Sequence, residues 1–214
     1  MTERNCRICQ AAELDVAQVL AAFEKKGYTA HYFDTGAAAA AYLDAAIDNQ
    51  TVGFGDSRTL YNIGVYKKLA AHNQVVDPMH PEGGRDFFEI IPETQHTTVF
   101  LTSVNGASVN GELVNIDAMG NRVAGTVYGH EKVYFVFDVN KLCPDLESAI
   151  WRARNIAAPQ NAKRKGYKTP CAVKGDRCYD CQSPERICNA LVIHLHRMKR
   201  AYAEVVLIGE ELGL

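Results

Sequence analysis

The feature that most constrains the fold is a regular alternation of helix and strand patterns in the first half of the sequence. Apolar residues at helical spacing predict the helices, and short β-branched or aromatic runs between them predict the strands. Such an alternation forms a mostly parallel sheet that is flanked by helices. The predicted order is helix 11–26, strand 28–33, helix 37–47, strand 51–54, helix 59–71 and strand 74–76.

The second half of the chain has more loop signals but keeps the α/β character. Glycine and asparagine in the turn 118–121 predict a hairpin of strands 112–116 and 122–127. We find no internal repeat and no flexible linker, so we expect a single α/β domain over residues 1–214, with a cysteine-rich, metal-binding insertion near its C-terminus. The other predicted elements are strands 97–101, 132–137, 191–195 and 204–208 and helices 87–90 and 144–156.

The composition is that of an ordinary globular protein. Hydrophobic residues make up 47% of the chain and charged residues 22%, which excludes disordered and fibrous classes. The formal net charge of −2 argues against a general polyanion-binding protein. No apolar run approaches the roughly 20 residues that a membrane span needs. We therefore expect a soluble, cytoplasmic protein without a membrane partner.

The strongest chemical signal is a cluster of cysteines in the segment 168–190. Four of the seven cysteines fall within eighteen residues: Cys171, Cys178, Cys181 and Cys188. In a reducing compartment, such a thiol cluster more often binds metal than forms disulfides. Four thiolates can hold a [4Fe–4S] cluster or a tetrahedral zinc ion. Zinc sites more often have two short Cys-x2–4-Cys pairs, and only one is present, so we favour the cluster, with zinc as the alternative.

The remaining cysteines and two histidines carry a weaker signal. Cys6 and Cys9 precede the first predicted helix, and a lone pair of thiols cannot complete a metal site, so we interpret them as incidental. Cys143 follows a predicted strand and is expected to be a small core residue. His194 and His196 alternate on a predicted strand, so they should share one face and have a structural role.

Two groups of polar and glycine residues are candidate ligand-binding sites. Gly53, Gly55 and Ser57 lie where a strand passes into a helix, an arrangement that suits either an anion site or a tight turn, with Ser57 as the N-cap. The second group follows two other predicted strands, where its side chains suit a pocket for a small anion or simple turns. It consists of Asn105, Asp117, Asn121 and Arg122. No nucleophile–base motif is present, so no catalytic residue is assigned.

Positive charge is concentrated next to the cysteines. Residues 152–177 contain eight basic residues and one acid, for a net charge of +7, and the rest of the chain is acidic. Nearby cations would stabilise an anionic cluster. The same stretch could instead bind nucleic acid, but no aromatic-interleaved motif accompanies it, so nucleic acid is not favoured as a partner.

Seven segments together carry a family resemblance, namely residues 53–57, 101–107, 115–125, 140–141, 155–159, the Cys178-x2-Cys181 pair with 183–188, and 207–213. They resemble the lactate-utilisation (LUD) domain family, in its short form similar to lactate-utilisation protein C and YkgG-like proteins. The resemblance implies a fold similar to the glucosamine-phosphate deaminase (NagB), ribose-phosphate isomerase (RpiA) and CoA-transferase group. It also implies a role in L-lactate oxidation beside iron–sulfur partner proteins.

Three functions remain open at this point. The first is an iron–sulfur accessory or redox component of organic-acid oxidation, which binds a small organic anion at the polar residues named above. The second is an enzyme similar to CoA-transferases or sugar-phosphate isomerases, with structural zinc and with Glu112 or Asp117 as the acting carboxylate. The third is a regulatory or nucleic-acid-binding module that uses the basic stretch 152–177.

Overall fold

The structure is a computed structural model that describes residues 14–81 and 83–214. Cys6, Cys9 and the start of the first predicted helix lie outside the described residues. The strands are β1 (Thr29–Phe33), β2 (Thr51–Phe54), β3 (Gln74–Val76), β4 (Val99–Thr102), β5 (Gly106–Ser108), β6 (Leu113–Asp117), β7 (Lys132–Asp138), β8 (Leu142–Cys143), β9 (Ala190–His194) and β10 (Tyr202–Ile208). The α-helices are α1 (Val16–Lys25), α2 (Gly36–Ala46), α3 (Arg58–Asn62), α4 (Val65–Leu69), α5 (Phe87–Thr94), α6 (Asn121–Val127), α7 (Leu146–Arg152), α8 (Ala158–Arg164) and α9 (Pro170–Lys174).

The main sheet contains six strands in the order β1-β10-β7-β4-β2-β3, and every neighbouring pair is parallel. The predicted α/β fold with a mostly parallel sheet is therefore confirmed. Its central strands are buried on both faces, as expected where helices cover a parallel sheet. Phe135 and Phe137 of β7 pack with Phe23 of α1 on one face, whereas Tyr134 and Val136 pack on the other.

A second sheet stands beside the first, in the order β8-β5-β6-β9. β6 is antiparallel to both β5 and β9, and β8 is parallel to β5. Cys143 of β8 is fully buried in a cluster with Val114 and Ala149, which confirms the prediction of a small core residue. The two sheets meet where the chain leaves β4 and enters β5, so this loop is a corner between them.

The predicted hairpin strand 122–127 is wrong, because this segment forms helix α6. The Asp117 carboxylate accepts hydrogen bonds from the backbone N–H groups of Met119, Gly120 and Val123, at 3.2, 3.2 and 3.3 Å. Gly120 has φ +90°, a left-handed conformation that turns the chain into the helix. Burial against the sheet thus overrides the β propensity of the valine and threonine side chains in this segment.

Two predicted helices differ in extent. The segment 59–71 is divided into α3 and α4 by Gly64, whose φ of +67° interrupts the helix. The helix predicted for 144–156 begins after the N-cap Asp145 and continues through a π-helical segment, Ala153–Ala157, into α8. It is thus one long helical rod that extends to Arg164.

His194 and His196 do not share a strand face. β9 ends at His194, which is buried with its ring 5.3 Å from that of Phe135. His196 follows the strand and is exposed, so the predicted pairing of the two histidines is wrong.

All six strands of the main sheet end at the same side because every neighbouring pair is parallel, and we call this side the carboxyl edge. The four central strands end there at Phe54 of β2, Thr102 of β4, Asp138 of β7 and Ile208 of β10. In open parallel sheets, ligands bind outside this edge. Among the helices of the described residues, none is long and apolar enough to cross a membrane.

Candidate functional site

A cleft at the carboxyl edge brings together four of the seven predicted ligand residues. The loop after β4, the end of β6, the start of α6 and helix α8 form its walls. Ile187, next to Cys188, also lines it, so the cysteine segment borders the same cleft. The polar and charged residues that line the cleft include Asp56, Asn105, Asp117, Asn121, Arg122 and Lys165.

Arg122 is held in place by its neighbours. Its Nη2 donates to the carbonyl oxygen of Ile116 and, at 3.5 Å, to Oδ1 of Asn105. Its Nε lies 3.4 Å from Oδ2 of Asp117. Within residues 14–81 and 83–214, no hydrogen-bond partner is found for Nη1, which is therefore free to donate to an anion in the cleft.

Asn105 is fixed in a similar way. Its Oδ1 accepts from the backbone N–H of Ile116 at 2.8 Å, and its backbone oxygen accepts from Nη1 of Arg152 at 2.6 Å. In the described part of the chain, its side-chain nitrogen has no hydrogen-bond partner. Asn105 and Arg122 thus each present an N–H donor at the cleft, an arrangement that suits a carboxylate.

Asp117 has a structural role in the cleft. Its two oxygens accept the three backbone hydrogen bonds that start α6, and it pairs with Arg122. The other nominated acid, Glu112, precedes β6 at its opposite end and forms an ion pair with Lys26 at 2.9 Å. Burial alone would raise the pKa of Glu112, but hydrogen bonds from Lys26 and Ser108 hold it below the ordinary value. The two acids therefore do not share a site.

Lys165 contributes a further charge to the cleft. Its Nζ lies 3.0 Å from Oδ2 of Asp56, a residue with φ +45° that follows Gly55. The pair joins α8 to the turn after β2, and so closes the cleft on that side. Of the basic stretch predicted from the sequence, Lys165 is thus paired at the site and Arg152 is buried.

Gly53, Gly55 and Ser57 lie next to the cleft but are not among its lining residues. Ser57 is the N-cap of α3, as predicted, and its Oγ accepts from the N–H of Leu60 at 3.2 Å. A side chain at Gly53 or Gly55 would place its Cβ 2.6 Å from Oγ1 of Thr97 or 2.8 Å from Oγ1 of Thr102. The glycines therefore permit close packing of the sheet, and their role in ligand binding stays a prediction.

A buried polar network, which the predicted site set does not include, lies behind the cleft. The Nζ of Lys141 donates to the hydroxyls of Thr59 and Ser103, both at 3.0 Å, and lies 3.4 Å from Oδ1 of Asp138. Only 4% of Lys141 is exposed. The sequence feature that could have indicated this network is the pair Asn140-Lys141, which belongs to the family resemblance and follows a predicted strand.

Burial controls the charge of this network. It lowers the pKa of Lys141 to about 8, and the positive charges of Arg152 and Arg122 act in the same direction, against the attraction of Asp138. Burial alone would raise the pKa of the Asp138 carboxyl, but Lys141 and the backbone N–H groups of Gly213 and Leu212 hold it below the ordinary value. Lys141 is thus a buried amine whose pKa lies well below the ordinary value.

The four clustered cysteines lie between α8 and β9. Cys171 is in the first turn of α9, with its sulfur 3.3 Å from Oγ1 of Thr169. Cys178, Cys181 and Cys188 follow along the loop, and all four thiols are partly buried and free of disulfides. Burial raises the pKa of Cys188, and the nearby Cys178 and Cys181 raise it further, against the effect of Arg186. Cys178 and Cys181 therefore lie near Cys188.

The loop that carries these thiols is organised by polar contacts. Arg186 donates to the carbonyl oxygens of Cys181 at 2.7 Å and Cys188 at 3.2 Å. The N–H of Cys178 donates to Oδ1 of Asn155 at 3.2 Å. The donor type suits a soft metal or an iron–sulfur cluster. Among the described residues, however, no three histidine, cysteine or acidic side chains form a ready-made metal-ligand set.

Comparison with known proteins identifies the family. The model of the LUD domain matches residues 16–208, which is most of the chain. The chain belongs to the LUD domain family. The resemblance stated from the sequence is thereby confirmed, and as a LUD domain protein the chain is of the lactate-utilisation type.

Two solved structures are distantly similar to this chain. A DUF162 family protein from Deinococcus radiodurans is 13% identical, with a TM-score of 0.49 over 92% of this chain and 100% of its own. Ribose 5-phosphate isomerase from Plasmodium falciparum is 14% identical, with a TM-score of 0.33 over 50% of this chain and 52% of its own. No curated protein matches the chain significantly. At these TM-scores, the solved structures add nothing to the assignment of site residues.

Proposed function

We propose that this LUD domain protein is an accessory or redox component of organic-acid oxidation, with L-lactate as the leading candidate acid. It binds a small organic anion in the cleft and carries a [4Fe–4S] cluster on Cys171, Cys178, Cys181 and Cys188. The observation that carries the proposal is that the anion site and the cysteine segment adjoin each other, because Arg122 and Ile187 line the same cleft.

The anion part of the proposal rests on fixed donors. Arg122 is oriented by Asp117 and Ile116, and Asn105 is oriented by the backbone of Ile116, so neither side chain must be ordered when the anion binds. Preorganised charge-assisted donors bind carboxylates strongly for this reason. Lys165 lines the same cleft, but its charge is balanced by Asp56, so the donors of the cleft are those of Arg122 and Asn105.

The cluster part rests on the number and surroundings of the thiols. Four cysteines are the usual ligand count for a [4Fe–4S] cluster, which when bound supplies one-electron transfer. Arg186 lies in the loop and Arg154 in the π-helical segment beside it, and both pair with Asp180, at 3.1 and 3.6 Å. Positive groups of this kind stabilise an anionic cluster. We place the protein in the cytoplasm, where thiols remain reduced, beside iron–sulfur partner proteins that exchange electrons with it.

Anaerobic purification tests the cluster. We expect about four iron atoms per chain with a broad visible absorption that bleaches on reduction. Cys178→Ser and Cys181→Ser should each lose most of the iron, whereas Cys143→Ala, a change at a buried thiol outside the cysteine segment, should retain it. One zinc per chain without iron would replace the redox proposal by the structural-zinc alternative.

Calorimetric titration with L-lactate and pyruvate tests the cleft. We expect Arg122→Ala to weaken binding by tenfold or more, which corresponds to about 1.4 kcal/mol or more. Arg200→Ala is the matched control, because Arg200 is exposed near the start of β10, at the opposite edge of the sheet. Equal affinity in the wild type and Arg122→Ala would refute the cleft as the anion site.

A further inference from the structure

Residues 212–214, which we call the strap, cross the carboxyl edge directly above the buried lysine. Oδ2 of Asp138 accepts hydrogen bonds from the N–H groups of Leu212 and Gly213, both at 2.9 Å. The other oxygen of the same carboxylate faces Lys141. The strap and the lysine are thus bound to opposite oxygens of one buried acid.

Three side chains hold the carbonyl groups of the strap. Asn62 donates to the oxygen of Leu212 at 2.6 Å, and Asn140 donates to that of Gly213 at 3.1 Å. Arg152 donates to the oxygen of Leu214 at 3.3 Å. The three oxygens of the strap thus accept hydrogen bonds from donors at the carboxyl edge. The oxygens of an anionic ligand would accept from the same donors.

The contact at Gly213 is close. A Cβ built on this residue would lie 2.5 Å from Nζ of Lys141 and 2.5 Å from Oγ1 of Thr59. The strap therefore fits only because residue 213 has no side chain. The main chain of Gly213 occupies the space next to the buried ammonium.

The strap and the cleft are connected through shared contacts. Arg152 donates through Nη1 both to Leu214 of the strap and to the backbone oxygen of Asn105 at the cleft. Lys141 contacts Ser103, two residues before Asn105 on the same loop. The positive charges of Arg122 and Arg152 act on Lys141, and Asp138 is the acid in direct contact with the lysine. An additional anion would be favoured here.

We propose that the strap occupies part of the anion site, and that Lys141 and Arg152 bind the carboxylate of a small organic acid when the strap is displaced. The hydroxyls of Thr59 and Ser103 then serve as further donors. The inference rests on the proposed function, because it extends the cleft, and it adds a buried subsite and a segment that competes with the ligand for it.

The test displaces the strap in the chain as given by the sequence. In Gly213→Val, the added side chain clashes with Lys141 and Thr59, so residue 213 can no longer pack against both groups. Glu211→Ala is the matched control, because Glu211 is an exposed residue just before the strap. Calorimetry with pyruvate and with its uncharged amide, pyruvamide, measures binding to each variant, and thermal unfolding checks that each one is folded.

We expect Gly213→Val to bind pyruvate about tenfold more tightly than the wild type, with no gain for pyruvamide and no change in Glu211→Ala. Adding Lys141→Met should abolish the gain, and adding Lys141→Arg should retain part of it. If Lys141→Met does not fold, Ser103→Ala, which removes one hydroxyl only, should reduce the gain instead.

The outcomes separate the two proposals. If Arg122→Ala weakens binding but Gly213→Val and Lys141→Met leave it unchanged, the cleft is correct and the subsite is refuted. If Gly213→Val and Lys141→Met shift binding while Arg122→Ala does not, the subsite stands and the cleft assignment fails. If no variant binds pyruvate, both proposals are overturned.

Discussion

At the residue scale, the site depends on two buried carboxylates that hold other groups in place. Asp117 starts helix α6 and orients Arg122, and Asp138 joins Lys141 to the strap. Residue types alone suggested that Asp117 was a candidate acting acid. Its three backbone hydrogen bonds become visible only in the folded chain, because they depend on the turn after β6.

Replacement of Asp117 tests its positioning role. We expect Asp117→Ala to lower the free energy of unfolding by about 2–3 kcal/mol, because it leaves backbone N–H groups and Arg122 without their acceptor. Asp117→Asn keeps one acceptor oxygen and should cost about half as much. Urea denaturation measures both. Equal stability of Asp117→Ala and the wild type would show that the turn does not depend on this carboxylate.

Lys141 gives the protein a stability term that depends on pH. Its pKa is about 8 in the folded chain and 10.5 as the ordinary value. Between these values the unfolded chain binds more protons, so the contribution of Lys141 to the free energy of unfolding rises with pH. The stability difference between the wild type and Lys141→Met should therefore shift in favour of the wild type from pH 8 to pH 10. A difference that stays constant over this range would contradict the lowered pKa.

At the scale of elements, the prediction from the sequence holds where apolar periodicity is strong. The strands of the main sheet lie close to their predicted positions, because β-branched runs such as 132–137 suit a buried parallel strand and little else. The segment 122–127 was mistaken for a strand because its helical state depends on Asp117 and on the left-handed Gly120. The packing of α6 against the sheet also depends on Gly125, because Phe100 leaves no room for a side chain at this position.

Gly120 can be tested directly. No atom lies within 4 Å of a Cβ added at this position, so a substitution acts through backbone conformation alone. We expect Gly120→Ala to destabilise the fold by about 1 kcal/mol because of the positive φ. Gly120→Asn should cost less, since asparagine tolerates this conformation better. Chemical denaturation of the two variants gives the comparison, and equal losses would argue against backbone strain as the cause.

At the scale of the whole molecule, the cleft forms from parts that are distant in the sequence. Asp56, Asn105, Arg122 and Lys165 come from four separate parts of the chain, and the cysteine segment reaches the same cleft through Ile187. The sequence could indicate Asn105 and Arg122 as candidates because they follow strands. It could not indicate Lys165 or the strap, since their contacts depend on how the rod and the chain end pack across the sheet.

The shared border of cleft and cysteine segment predicts coupling between metal and anion. We expect the affinity for L-lactate or pyruvate to change at least threefold when iron is removed with a chelator under anaerobic conditions. By linkage, the anion should change iron retention by the same factor. Titration of both forms, with Cys143→Ala as the control protein, measures the effect. Identical affinities would show that the two parts act independently.

The helical rod from α7 to α8 has a further consequence. Arg152 at the end of α7 contacts both Asn105 and the strap, and Asn155, three residues later, contacts Cys178. The two residues lie on either side of the junction between α-helix and π-helix. The contact with the strap and the contact with Cys178 therefore come from one continuous helical rod, which fixes the spacing between the strap and the cysteine segment.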